Sequence, residues 1–193
     1  MSIQLGNTGK EGSVFLVREM FGGVELQCVK KVFKKSKSHK MVQKEASYQF
    51  HASQVGVAPD VISVDLSTPP SITMYKMDRT IIDVIEEQNG ILTEDQQTQI
   101  LSLYQRLDEI GLLHNDSNPL NIMIGCDGEC CSGICPSPVW KLIDYGMSKK
   151  ITKKHGTCPN VKISLKLMLY STKGIITRGL LKTPPTILIN ALE

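Results

Sequence analysis

Leu26-Gln27-Cys28-Val29-Lys30-Lys31-Val32-Phe33 reads as a β-strand, in which successive side chains face opposite ways. In that register Lys30 shares a face with Leu26, Cys28 and Val32, whereas Lys31 lies beside Gln27 and Val29. Lys30 is therefore the charge on the more apolar face. From about Ser38 to Gln54 the rhythm changes. Met41, Glu45, Tyr48 and Ala52 recur at steps of four, three and four, which predicts a helix with Glu45 on its inward stripe. Ala58-Pro59-Asp60 breaks the chain, and Val61 to Leu66 and Ile72 to Met77 read as two strands joined through Thr68-Pro69-Pro70. The clearest helix comes next. Thr93 and Gln96 form a capping-box pattern, Ile100, Leu103, Tyr104, Leu107 and Ile110 fall on one face, and Gly111 suits the C-terminal stop.

Three stretches carry candidate chemistry. Leu5-Gly6-Asn7-Thr8-Gly9-Lys10-Glu11-Gly12-Ser13-Val14 reads as a strand, a glycine turn and a second strand, a shape that offers backbone N–H groups to phosphate, although a plain hairpin uses the same residues. His114-Asn115-Asp116-Ser117-Asn118-Pro119-Leu120-Asn121 places an aspartate five residues before an asparagine in a polar loop. Leu142-Ile143-Asp144-Tyr145-Gly146 places a second aspartate, with an aromatic and a glycine, at the end of an apolar strand. Transfer of a γ-phosphoryl group needs a carboxylate to take the proton of the attacking hydroxyl, and hard oxygen ligands for Mg²⁺. Asp116 suits the first role, and Asn121 with Asp144 suits the second.

These motifs, in this order, resemble the protein-kinase superfamily, whose catalytic loop reads His-Arg-Asp-x-x-x-x-Asn and whose metal-binding motif reads Asp-Phe-Gly. The resemblance implies an α+β fold of two lobes. Residues 1–77 would form a β-rich N-terminal lobe, and residues 78–193 a short, mostly helical C-terminal lobe within a single domain. It makes Asp116 the catalytic carboxylate, His114 a prop for the loop, and Lys30 the strand lysine that holds the α- and β-phosphates in partnership with Glu45. Gly6, Gly9, Gly12 and Val14 would cover ATP, with Asn7 standing where the family's first glycine is expected. Met74 takes the gatekeeper position, and Tyr75 and Met77 would offer backbone groups to adenine. Mg²⁺ or Mn²⁺ would sit on Asn121 and Asp144.

Asn115 replaces the usual arginine, Asn118 stands where typical Ser/Thr kinases carry lysine, and no Ala-Pro-Glu motif follows Gly146. The chain in this respect is similar to compact atypical kinases, namely the small kinase of the KEOPS complex, RIO kinases and short microbial or viral relatives. The implied activity is ATP- and Mg²⁺-dependent phosphorylation of a protein Ser/Thr hydroxyl, self-phosphorylation included. Two alternatives stay open: a small-molecule phosphotransferase, and a pseudokinase or ATPase module acting in a complex. The short C-terminal lobe is either stable alone or completed by an accessory protein or a second copy.

Composition narrows the picture modestly. With 193 residues, 41% hydrophobic and 21% charged, the chain has the make-up of a soluble globular protein. A net charge of +3 gives no argument for direct nucleic-acid binding, and the basic runs 30–40 and 149–154 read as solvated faces. No secretory leader or membrane-spanning run is visible, so the expected location is cytoplasmic or nuclear. Cys126, Cys130, Cys131 and Cys135 crowd an insertion expected to form a hairpin over residues 125–138. Four thiolates can bind Zn²⁺, but the spacing lacks the usual Cys-x-x-Cys pairs, so exposed thiols, a metal site and disulfides all remain open.

Overall fold

The computed structural model describes residues 2–6, 8–9, 11–126 and 138–193. The expected hairpin at 125–138, with Cys130, Cys131 and Cys135, lies almost wholly outside the described residues, as do Asn7 and Lys10.

The fold is mixed α+β and begins with an antiparallel sheet. Strands β1 (Ile3–Leu5), β2 (Gly12–Phe21), β3 (Val24–Phe33), β4 (Val61–Asp65) and β5 (Ser71–Tyr75) lie in the order β1-β2-β3-β5-β4. Between β3 and β4 runs helix α1 (His39–Gln54), started by Ser38, whose hydroxyl accepts from the Met41 N–H. Its buried side chains are Val42, Glu45, Ala46, Gln49 and Ala52. Glu45 and Ala52 therefore sit on the inward stripe as the spacing predicts, but Met41 is half exposed and Tyr48 only partly buried, so the stripe is rotated from the expected one. Val42 and Ala46 pack on Phe33, Ile72 and Met74 to close a small core between helix and sheet. Opposed residues on β3 and β5 pair Lys31 with Ile72 and Val29 with Met74, which puts these four on the helix-facing side.

Short β6 (Arg79–Thr80) leads into α2 (Ile81–Glu87), and α3 (Glu94–Glu109) follows. Both helices start with a complete capping box, Thr80 with Asp83 and Thr93 with Gln96. In α3, Ile100, Leu103, Tyr104 and Leu107 have no exposed surface and anchor the larger core. At about 1.5–3 kcal/mol for each fully buried large apolar side chain, this stripe is a principal source of the unit's stability. Ile110, expected on the same face, instead lies past the last turn and is partly exposed. Gly111 then takes the left-handed conformation (φ +67°) that ends the helix.

Strand β7 (Leu112–Leu113) pairs with β10 (Lys149–Lys150), and β8 (Ile122–Gly125) with β6 and β9 (Val139–Leu142), all antiparallel. A helical run from Asn160 through α4 (Lys166–Tyr170), and the short α5 (Thr186–Asn190), pack against α3. Among the described residues no helix is long and apolar enough to cross a membrane.

The glycines of the β1–β2 turn are not equivalent. A Cβ on Gly12 would lie 2.0 Å from the Val32 carbonyl oxygen, because β2 crosses β3 closely there, whereas one on Gly9 meets nothing nearer than 3.5 Å. Gly12→Ala is expected to cost about 1–3 kcal/mol, the usual range for forced overpacking, and Gly9→Ala much less. Chemical denaturation of the two variants checks this, and equal stabilities would contradict the close crossing.

Candidate functional site

The strand, the helix and the loop after β9 converge on one ammonium group. Lys31 Nζ donates to Glu45 Oε1 at 2.6 Å and to Asp144 Oδ1 at 2.8 Å, and Glu11 Oε2 lies 3.8 Å away. The residue that pairs with Glu45 is thus Lys31. Lys30, the lysine favoured by apolar alternation, projects from the opposite face of β3, where it is opposed to Phe15 and Thr73. The Lys30 face carries buried Cys28, Ser71 and Thr73, while the Lys31 face carries Phe33 and the α1 contact, so both sides of this central strand are covered and counting apolar neighbours does not separate them.

The electrostatics follow from two carboxylates sharing one cation. Burial works against the Asp144 carboxylate, but Lys31 outweighs it and holds the group below its ordinary range. Glu45 is nearly inaccessible and its Oε2 has no hydrogen-bond partner among the described residues, so burial outweighs Lys31 and pushes its pKa up. Burial also opposes the Lys31 ammonium, yet Asp144 and Glu45 together raise its pKa well above the usual lysine value. The carboxylate oxygens of Glu11, Glu45 and Asp144 lie within 4.8 Å of one another, and Gly146 fits among them. A Cβ there would approach Glu45 Oε2 to 3.0 Å and Glu11 Oε2 to 3.1 Å.

The loop carrying Asp116 is fixed from behind. His114 is fully buried, its Nε2 donates to the Ile143 carbonyl at 3.0 Å, and its ring stands edge-on to Tyr145 at 5.0 Å. Asn160 accepts from the His114 N–H at 3.0 Å while donating to Asp108 and to the Leu112 carbonyl, and Ser148 donates to the His114 carbonyl. Asn118 caps the turn Pro119–Asn121 by accepting from the Leu120 N–H. Asn121 donates its side-chain amide to the Asp116 carbonyl at 2.8 Å, and its own carbonyl accepts from the Ile143 N–H at 2.9 Å. This last bond ties the Asp116 loop to the residue before Asp144. Asn115 (φ +62°) and Asp144 (φ +65°) both hold left-handed conformations that cost energy for residues other than glycine, and such strain concentrates at functional sites. Burial, and then the Asp144 charge, push the Asp116 carboxyl above its ordinary value.

A cleft of about 740 Å³ brings these groups together. Gly9, Gly12, Val14, Lys31, Asp116 and Asp144 line it, as do Glu11, Lys37 and Lys173, which sequence reasoning missed. Glu11 is held by Lys37 at 2.7 Å. Gly6 sits at the end of β1 with φ +70° and is not part of this lining. Met74 is buried between sheet and helix with Gln49 donating to its sulfur, Tyr75 ends β5 opposite Cys28, and Met77 is buried beside Gly125; none of the three lines this cleft. Cys126 lies just outside the β8 end, and the sulfur site suggested by its neighbours falls outside the described residues. No protein-family model matches the chain, and no curated protein matches it in sequence.

The buried His114 sets a pH dependence. Burial lowers its pKa to about 4, against about 6.5 in the unfolded chain. The depressed value means that the unfolded state binds the proton first, so stability is full above the unfolded pKa and falls as pH drops toward 4. Between pH 7 and pH 5 the loss from this group is about 2 kcal/mol. His114→Gln, which can still donate to the Ile143 carbonyl, is expected to flatten that part of the profile. Denaturation midpoints at the two pH values test it, and an identical slope in the variant would refute the assignment.

Proposed function

We propose that this chain is an ATP- and Mg²⁺-dependent kinase that phosphorylates Ser or Thr hydroxyls on protein, with a kinase-like arrangement of a sheet lobe and a helical lobe about the cleft. The observation that carries this reading is Lys31 bridging Glu45 and Asp144 in the same cleft as Asp116. A lysine at this place suits the α- and β-phosphates, and Glu45 keeps it extended toward them. Gly9 and Gly12 line the same cleft, and glycines there would let backbone approach the phosphates.

The donor set fits a hard divalent cation. Lys31 holds Asp144 toward its charged form, Asn121, whose side-chain N–H is taken by the Asp116 carbonyl, would supply its amide oxygen, and one ammonium shared between two carboxylates leaves the cluster short of positive charge. When bound there, Mg²⁺ supplies charge neutralisation on the phosphates. Asp116 orients the acceptor hydroxyl and takes its proton. The hydroxyl oxygen forms the new bond to the γ-phosphorus while the bond to the ADP oxygen breaks, and its electron pair leaves with ADP. The upward shift at Asp116, caused by burial and then by the Asp144 charge, makes it a better proton acceptor than an ordinary carboxylate.

Incubation with γ-labelled ATP and Mg²⁺ tests the reading: label on protein supports it, and free phosphate alone assigns an ATPase. Asp116→Asn is expected to keep nucleotide affinity and lower transfer on the order of 10²–10⁴-fold, the range for a positioned base. Lys31→Ala is expected to lower transfer far more than Lys30→Ala. Wild-type rates in Asp116→Asn, or equal losses from the two lysines, would overturn the assigned roles.

A further inference from the structure

Charge is segregated along this chain in a way that the net value hides. After Gly146 there are nine lysine or arginine residues and one carboxylate residue, Glu193. All nine basic side chains are exposed, and none forms a salt bridge among the described residues. A second basic stretch lies between Phe33 and Glu45, where five lysines occur without a carboxylate. The two stretches meet at the cleft, because Lys34 from the first and Lys173 from the second both line it together with Asp116 and Asp144.

The cations of the cleft divide into two kinds. Lys31 is committed to Glu45 and Asp144, and Lys37 to Glu11. Lys34 and Lys173 are exposed and form no salt bridge among the described residues, and Lys173 is near enough for its charge to act on Asp116. Lys162 and Lys166, one helical turn apart, are also exposed. Lone ammonium groups are point charges without the fork geometry of arginine, so they suit carboxylates and phosphates in an extended, variable chain. At physiological ionic strength their field reaches about 8 Å, enough to act on residues flanking an acceptor hydroxyl at Asp116. Single-stranded nucleic acid is the less suitable anion, since among the described residues no aromatic side chain lines the cleft to stack a base.

We propose that the acceptor segment is acidic: a Ser or Thr flanked by Asp, Glu or already phosphorylated residues, held by Lys34 on one wall and Lys173 on the other. This rests on the kinase reading above and names its substrate class. The test compares kcat/KM on three serine peptides of one length, flanked by Asp/Glu, by Gln or by Lys, for the wild type and for the Lys34→Glu/Lys173→Glu double variant. Wild type is expected to favour the acidic peptide over the basic one on the order of tenfold, a preference that weakens with added KCl and inverts in the double variant. If the reversal variant does not fold, Lys34→Gln/Lys173→Gln is expected to erase the preference instead. Equal kcat/KM for the three peptides overturns the proposal and leaves the kinase reading standing. An equal fall on all peptides in the double variant also overturns it, because the lysines then serve nucleotide phosphates. Transfer to the acidic peptide that is blocked by single-stranded RNA in the wild type alone would reassign the face to nucleic acid. No labelled peptide or protein at all would sink the kinase reading, and this proposal with it.

Discussion

Lys31 Nζ is shared by carboxylates 14 and 113 residues away in sequence, and that one ammonium ties β3, α1 and the loop after β9 into a single site. Its partners differ in what they gain. Glu45 is buried and only half satisfied, so it depends on Lys31 for compensation; Asp144 reaches the cleft and keeps its charge. Removing the ammonium would leave an uncompensated buried carboxylate, the costly way to break such a group. The same imbalance makes the cluster receptive to further positive charge, and the proposed metal and substrate chemistry both start from it.

Rigid support behind the cleft serves that arrangement. Asn160 and Ser148 hold the backbone of His114, His114 holds Ile143, and Asn121 holds both Asp116 and Ile143. Two acidic side chains from separate loops are thereby placed relative to one another by bonds to the main chain of their loops as well as by Asp144's own contact with Lys31. The positive φ at Asp144 and Asn115 is the local cost of that placement.

Local signals in the sequence carried well where they depend on short spacing. The capping box at Thr93 and Gln96, the stripe from Ile100 to Leu107, and the stop at Gly111 need only neighbours within a few residues. Glu45 was legible because Glu45 and Ala52 lie on a stripe that remains inward even though Met41 and Tyr48 rotate off it. The choice between Lys30 and Lys31 was not legible, because β3 is covered on both faces and the deciding contact comes from Asp144, far along the chain. Asn160 and the Glu11–Lys37 pair were equally invisible, since each acts through partners 46 or 26 residues distant and matches no short motif.

The most direct test of the shared-ammonium site is calorimetric titration of ATP with and without Mg²⁺ on wild type and Asp144→Asn, with circular dichroism to confirm folding. Mg²⁺ is expected to strengthen ATP binding to the wild type, and Asp144→Asn is expected to lose this Mg²⁺ dependence while staying folded. A folded Asp144→Asn protein whose ATP affinity still rises with Mg²⁺ as in the wild type would contradict it.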